Sequence, residues 1–437
     1  MGAGNNNKIK EYIEEVCFLV KNKDVHYDIN LELTDHLETL KEEFISLGAS
    51  EEEADDKAIA HMGEASVVGK QLSATHKAKL DLTILIPVIA FSVFGLIAMY
   101  IIDSNQLVSQ ATYMQIFQRS LVFYFIGIVL MVALYFFDYR KILHYSKYIY
   151  IGTLILLIFS TFFGRPANGR AWLAIGNLNI DFFNVSPFLL VIALAGIFQD
   201  WNWQSTSKFL IGIILMAVPG WLLLINGAST MIIYLIACTV LMIMSKAKLY
   251  LTLLPAAGLF LASFLFVIMV PYRIERLLLI LNPQKDPSGA GYMYIQLRNA
   301  INSAGFLGNN TADIQSKIPE LHTDFIFTYI TSTFGWIAAA VIIVLILTFI
   351  LRMVHVASTA KHSYGKLLSA GFVAVLSTQF ILSIATSLGM SPFFGVSLPF
   401  MSFGGSHIIM DMASAGIILS VYRRRNLSNT MLATKTS

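Results

Sequence analysis

From residue 82 onward the chain alternates long apolar runs with short polar breaks. A helix that crosses a bilayer needs about 20 predominantly apolar residues. Ten runs reach or approach that length: 82–102, 117–137, 147–164, 182–199, 207–225, 229–245, 249–270, 324–351, 366–388 and 407–422. The first 76 residues follow another pattern. Ile9, Tyr12, Ile13, Val16 and Leu19 recur at helical spacing, as do Ile29, Leu33, Leu37, Leu40 and Phe44, with acidic residues between them. Gly48 closes that second helix, and Ser50-Glu51-Glu52-Glu53 is a capping-box signal for a third, whose inner face carries Ala54, Ala58 and Met62. The pattern predicts an all-α protein: a small cytoplasmic N-terminal helical domain over 1–76, a ten-span transmembrane domain over 77–425, and a cytoplasmic tail over 426–437.

Composition agrees. Of the 437 residues 56% are hydrophobic and 13% charged, which excludes a soluble globular chain. Sixteen of the 27 carboxylates precede residue 65, so the net charge of +3 hides an acidic first domain and a nearly uncharged remainder. The first 20 residues are polar and charged, so no cleavable signal peptide is expected. Lysines and arginines choose the orientation. Arg140, Lys141, Lys147, Lys208, Lys246, Lys248, Arg352, Lys361, Lys366 and Arg423 to Arg425 fall in alternate breaks, whereas 103–116, 226–228 and 389–406 carry none. The positive-inside rule then puts both termini in the cytoplasm and the loops 165–181 and 271–323 outside. Cys17 and Cys238 are far apart in apolar surroundings, which argues against a disulfide framework or a metal cluster. His26, His36 and His61 match no metal spacing. No nucleic-acid partner is expected.

The loop 271–323 is by far the longest, and a loop of that size in a compact chain is usually functional or disordered. Tyr272, Tyr292, Tyr294, Phe306 and spaced aliphatics favour order, with a short interfacial helix over 295–301. The loop ends on Ile318-Pro319-Glu320-Leu321-His322-Thr323-Asp324-Phe325-Ile326-Phe327. Here Thr323 is a natural helix N-cap, with Asp324 the first residue inside the helix. Two carboxylates and an imidazole thus gather at a membrane boundary, where ionisable groups are costly and mark functional candidates. A capped helix start with a polar collar explains the same residues. Arginines populate the outward segments: Arg165, Arg170, Arg273, Arg276 and Arg298. Arginine binds phosphate or diphosphate, and a nearby carboxylate can take a proton from an attacking hydroxyl. The plain alternative is snorkelling at headgroup level.

At this point the residues resemble a known family. Pro319-Glu320-x-His322-Thr323-Asp324-Phe325-Ile326-Phe327 looks like the hallmark of the SEDS proteins, the FtsW, RodA and SpoVE group. Pro271-Tyr272-Arg273-Ile274-x-Arg276 with Asn282-Pro283-x-x-Asp286-Pro287 resembles the start of their large outer loop. Gly291-Tyr292-x-x-x-Gln296 with Ala300-Ile301, Gly305 and Gly308 resembles its middle, and Leu398-Pro399-Phe400-x-Ser402-Phe403-Gly404-Gly405-Ser406 the loop before the last span. Asn168-Gly169-Arg170-Ala171-Trp172 is similar to the family's outward Gly-Ala-Arg-Arg-Trp element. The first domain resembles the helical prefix of some bacterial permease-like proteins, through Glu32-Leu33-x-x-His36-Leu37-Glu38 and Met62-Gly63-Glu64. That likeness suggests docking or regulation.

The resemblance implies a peptidoglycan glycosyltransferase of the bacterial cytoplasmic membrane, acting in cell shape, division or sporulation. Such enzymes polymerise lipid II, a disaccharide-peptide on undecaprenyl diphosphate. It implies that Asp324 is the catalytic general base, and that Glu320, His322, Thr323, Arg170, Trp172, Arg273, Arg276, Gln296 and Arg298 bind substrate. Trp172 also fits a membrane-interface anchor. The implied partners are a class B penicillin-binding transpeptidase and other cell-wall assembly proteins. No cofactor is implied, although a divalent cation can accompany the lipid diphosphate. Several usually charged positions depart from the family pattern. Its Gln-Pro-Ser-Glu-Phe-Ala-Lys reads Asp181-Phe182-Phe183-Asn184-Val185-Ser186-Pro187, its Gln-Pro-Asp-Leu-Gly-Thr reads Ile225-Asn226-Gly227-Ala228-Ser229-Thr230, and its Glu-Glu-Leu-Gly reads Ser332-Thr333-Phe334-Gly335. Asp411 stands where asparagine is usual. A precursor flippase and a catalytically silent scaffold therefore stay open beside the enzyme.

Overall fold

The computed structural model describes residues 7–21, 26–75, 81–105, 107, 116–167, 170–175, 178–248, 250–253, 257–258, 261, 264, 268–269, 271–309 and 317–425. The chain forms two compact units, the first holding residues 1–80 and the chain's end from Tyr422, the second running over 81–421.

In the first unit, α1 (Asn7–Leu19), α2 (His26–Ser46), α3 (Glu51–Met62) and α4 (Ala65–Thr75) enclose a core of Ile9, Ile13, Val16, Ile29, Leu37 and Ala58. Ser50 caps α3 reciprocally with Glu53, satisfying N–H groups that the first turn leaves unpaired. Gly48 turns the chain after α2 at φ +92°, a conformation that suits glycine. Tyr12 donates its hydroxyl to the Gly63 carbonyl at 2.9 Å, closing α1 over the end of α3.

The second unit is a helical bundle. Its apolar helices are α5 (Leu82–Ser104), α6 (Ile116–Phe136), α7 (Ser146–Phe163), α8 (Phe182–Phe198), α9 (Thr206–Asn226), α10 (Ala228–Met244), α13 (Ile326–Thr359), α14 (Ser363–Ser387) and α15 (Gly405–Arg423). A 3₁₀ turn over Tyr139–Tyr145 leads into α7. Between α10 and α13 come α11 (Pro271–Leu281) and α12 (Tyr292–Asn302). Seven of the helices, the 3₁₀ turn counted with α7, are long and apolar enough to cross a membrane; α8 and α10 are shorter. The chain is thus an all-α multi-span membrane protein. The seventh expected span, 249–270, lies largely outside the described residues, as does the tail 426–437.

Burial sorts the bundle. The most apolar window of α14 is 72% buried and that of α6 22%, so α14 is central and α6 faces lipid. α14 packs against α8, α10 and α13. Gly127 of α6 lies against Met412 of α15, and a Cβ on Gly416 of α15 would come within 2.6 Å of the Met131 carbonyl. Missing side chains at both positions let the backbones approach closely. Asp81 caps α5 through the Thr83 N–H and pairs with Arg352 of α13 at 2.6 Å, fastening two helix ends together.

Two departures from the sequence reading shape the surroundings of the site. First, 165–181 is not a plain loop. It forms a small antiparallel sheet, β1 (Arg165–Ala167), β2 (Arg170–Ile175) and β3 (Leu178–Ile180), in the order β1-β2-β3. Second, α13 is broken at Gly335, where φ is +85°. The N–H groups of Trp336 and Ile337 are given to the carbonyls of Gly305 and Phe306, at 3.1 and 3.3 Å. Asn309 returns its N–H to Ser332 at 3.0 Å, so the strand of loop over 305–309 is laced into the break.

Candidate active site

The hallmark stretch forms a tight turn ahead of α13. Glu320 adopts φ +55°, and its carbonyl collects the N–H groups of Thr323, Asp324 and Phe325 at 3.2, 3.1 and 3.4 Å. This corrects the expected helix start. Thr323 does not cap α13, and Asp324 is not its first residue; α13 begins at Ile326, after Phe325. The Thr323 hydroxyl is committed backwards, donating to the Glu320 carboxylate at 2.9 Å and reaching its carbonyl at 3.2 Å. Ile318 and Leu321 are buried anchors, while Pro319 and Glu320 are exposed. The turn is therefore rigid underneath and open above.

Neighbouring elements hold it from several sides. The His322 carbonyl accepts the Phe403 N–H at 2.9 Å, and the two rings lie 5.6 Å apart. The Asp324 carbonyl faces the Ser387 hydroxyl at 3.5 Å, and Thr328 donates to the Ser387 carbonyl at 2.7 Å. Phe325 meets Phe393 edge-on, and Phe393 stacks on Tyr294 of α12 at 4.1 Å. The Asp324 side chain is half-buried. It acts electrostatically on His407 of α15, as do Asp411 and Asp181. Four ionisable groups from the turn, α15 and the start of α8 thus share one end of the bundle.

His322 has an uncommon setting. Its Nδ1 is buried with no hydrogen-bond partner among the described residues. Burial pushes its pKa below the ordinary 6.5, opposed by Glu320 and by Asp103 of α5. The sign follows from linkage: above the ordinary value the ring is neutral in both states and costs nothing. As pH falls below it, the unfolded chain takes up the proton first, and folding stability drops until the lower folded value is passed. His322→Asn is expected to remove this part of the acid sensitivity, seen as a smaller loss of thermal stability between pH 7 and about 5.

The other expected site residues are spread along the same segments. Gln296 is half-buried on α12. Arg298 is exposed and reaches the Ile280 carbonyl in the last turn of α11 at 3.4 Å, a helix end that favours cations. Arg273 and Arg276 lie on α11, and Arg170 on β2; their side chains are outside the described residues. Trp172, half-buried on β2, pairs in register with Arg165. Among the described residues no group of three His, Cys, Asp or Glu gathers as metal ligands.

Asp103, Asp181 and His407 were not among the expected site residues. Their signal was an ionisable side chain inside or beside an apolar run. Asp181 caps α8, accepting the Asn184 N–H at 3.2 Å and its side-chain amide at 2.7 Å. The neutral Asn184 thus serves to hold a buried carboxylate three residues earlier.

A long-loop turn carrying a half-buried carboxylate, set in a multi-span bundle, defines a membrane protein with a site at one end of its helices. Residues 81–427 match the FtsW/RodA/SpoVE family of cell cycle proteins, and the chain belongs to that family. It is 27% identical over 364 residues to the peptidoglycan glycosyltransferase MrdB of Escherichia coli K12, covering 80% of this chain and 95% of the relative. It is 29% identical over 362 residues to the probable peptidoglycan glycosyltransferase FtsW of Geobacter sulfurreducens strain DL-1 / KN400, covering 79% and 96%. Among solved structures, a peptidoglycan synthase complex studied for its coordination of polymerization and crosslinking shares the fold, with a TM-score of 0.67, 23% identity, and 80% and 99% coverage. The rod shape determining protein RodA of Thermus thermophilus does so with a TM-score of 0.60, 21% identity, and 80% and 98% coverage.

Proposed function

We propose that the protein is a peptidoglycan glycosyltransferase that polymerises lipid II, with Asp324 as its general base. The observation that carries this reading is the turn itself. A half-buried carboxylate stands beside an exposed one, Glu320, on a backbone fixed by five contacts to main-chain atoms, within a family whose curated relatives bear that activity in their names. The acceptor sugar's 4-hydroxyl gives its proton to the Asp324 carboxylate as the oxygen attacks the donor's anomeric carbon. The bond from that carbon to the lipid diphosphate breaks, and the diphosphate leaves with the electron pair. Charge-assisted bonds from arginine suit the leaving group, and Arg170, Arg273, Arg276 and Arg298 are the candidates. Glu320, His322, Thr323, Trp172 and Gln296 are the further candidates for holding the substrate. A divalent cation enters, where present, with the diphosphate of the substrate.

The loop charges support an orientation with both termini in the cytoplasm and this turn outside, in a bacterial cytoplasmic membrane. A class B penicillin-binding transpeptidase is the proposed partner, in keeping with the solved neighbour that joins polymerization to crosslinking. The flippase reading draws on the neutral residues Asn184, Pro187, Gly227 and Ser332. Purified protein in vesicles with dye-labelled lipid II separates the two. A ladder of glycan chains supports the polymerase; lipid crossing the bilayer without a ladder supports the flippase and overturns the polymerase.

A further inference from the structure

The long loop carries an apolar tip against the broken helix. Gly305-Phe306-Leu307-Gly308 turns between two glycines at φ +61° and +91° and presents Phe306 and Leu307, 81% and 82% exposed. Residues 299–309 carry no charge. The main chain of the tip is bonded to α13: the Gly305 and Phe306 carbonyls accept from Trp336 and Ile337, and the Asn309 N–H goes to Ser332. Backbone outside a helix is tolerated at membrane depth only where protein satisfies its polar groups in this way.

Helix length sets the depth of the tip. Asp81 caps α5 and pairs with Arg352 of α13, so this ion pair marks one margin of the apolar layer. Asp103, near the other end of α5, lies about 33 Å from Asp81 along the helix, at 1.5 Å per residue. By the same rise Gly335 lies about 25 Å from Arg352. The hydrocarbon layer of a bilayer is about 30 Å thick. The tip, bonded to α13 just past Gly335, therefore falls inside that layer, close to the margin opposite Arg352. The exposed face of α13 leads up to it. Leu351, Val344, Val341 and Ile337 are exposed and share one face by their spacing. The N–H of Ile337, the last of them, is the one bonded to Phe306, so the tip continues this apolar stripe. Trp336 is exposed beside it, a residue type enriched at membrane margins. We infer that Phe306 and Leu307 form a wedge inserted among the acyl chains of the bilayer, which pins the long loop to the membrane between α12 and the hallmark turn. Lipid hydrocarbon is the partner that fits, because two large apolar side chains on an uncharged segment gain free energy by leaving water.

The test reads depth and needs no turnover, so its outcome is separate from that of the polymerase assay. Cys17→Ala and Cys238→Ala clear the full chain of native thiols. Leu307→Cys then carries a nitroxide label, and the protein is placed in vesicles of phosphatidylethanolamine and phosphatidylglycerol. Collisions of the label with oxygen, which partitions into hydrocarbon, are compared with collisions with a nickel chelate, which stays in water. Val344→Cys on the exposed face of α13 sets the lipid limit, and Lys57→Cys, exposed on α3, sets the water limit. The ratio of oxygen to nickel collisions at position 307 is expected to be several-fold above that at 57 and close to that at 344. Phe306→Cys repeats the reading in case the first variant does not fold. A ratio that matches position 57 overturns the inference. So does low access to both probes, the mark of a tip covered by protein.

Discussion

Asp324→Asn is expected to lower the rate of glycan polymerisation by about 10²–10⁴-fold, the usual range for losing a general base. The substitution tests the carboxylate while leaving the main-chain bonds of the turn available. At this position the N–H bonds to Glu320 and the carbonyl faces Ser387, both through main-chain atoms. Asparagine keeps the size and these contacts and removes the proton acceptor. The loss should fall in kcat, with KM little changed, since a base works in the transition state and contributes little to ground-state binding. Steady-state kinetics on lipid II, with a melting curve of each protein in detergent, checks both halves.

The second large effect is on folding. Gly335→Ala is expected to lower stability by about 1–3 kcal/mol through backbone strain at a positive φ, with about as much again from overpacking. A Cβ there would overlap the Phe306 carbonyl oxygen and the Gly308 nitrogen, both backbone atoms that cannot swing aside. Gly308 is equally confined by the Thr333 carbonyl. The break in α13 is thus a joint between the helix behind the turn and the loop after α12, and filling it should loosen both. Gly152 of α7 is the control, since a Cβ there meets nothing within 4 Å. In a helix interior alanine gains up to about 1 kcal/mol over glycine, so Gly152→Ala should be neutral or stabilising. Thermal unfolding of the three proteins in one detergent gives the comparison.

How much of this was legible in the sequence depends on the range of the interaction. The apolar runs announced the helices because burial in lipid needs only composition and length, both local properties. The hallmark turn was legible as a group of residues, through Pro319-Glu320-x-His322-Thr323-Asp324. Its geometry was not. Thr323 has the chemistry of an N-cap, but Glu320 turns at φ +55° and its carbonyl claims the Phe325 N–H, one of the two that such a cap would serve. The three short strands over 165–180 were missed because the longest has six residues, too few for alternation to stand out. The break at Gly335 is bonded to a segment about thirty residues earlier, and no local pattern foretells such a partner. His407 and Asp411 could have been found: two ionisable residues four apart in an apolar helix lie on one face. The family motif stops at Ser406, one residue short of the histidine.

The central claim is that one side chain in the turn before α13 takes a proton from a lipid-linked sugar. Its most direct test places purified wild type and Asp324→Asn side by side with dye-labelled lipid II and reads product length on a gel. The account predicts a ladder of glycan chains from the wild type and unreacted lipid II from the variant, both proteins melting alike. Ladders of equal intensity from the two proteins would contradict it.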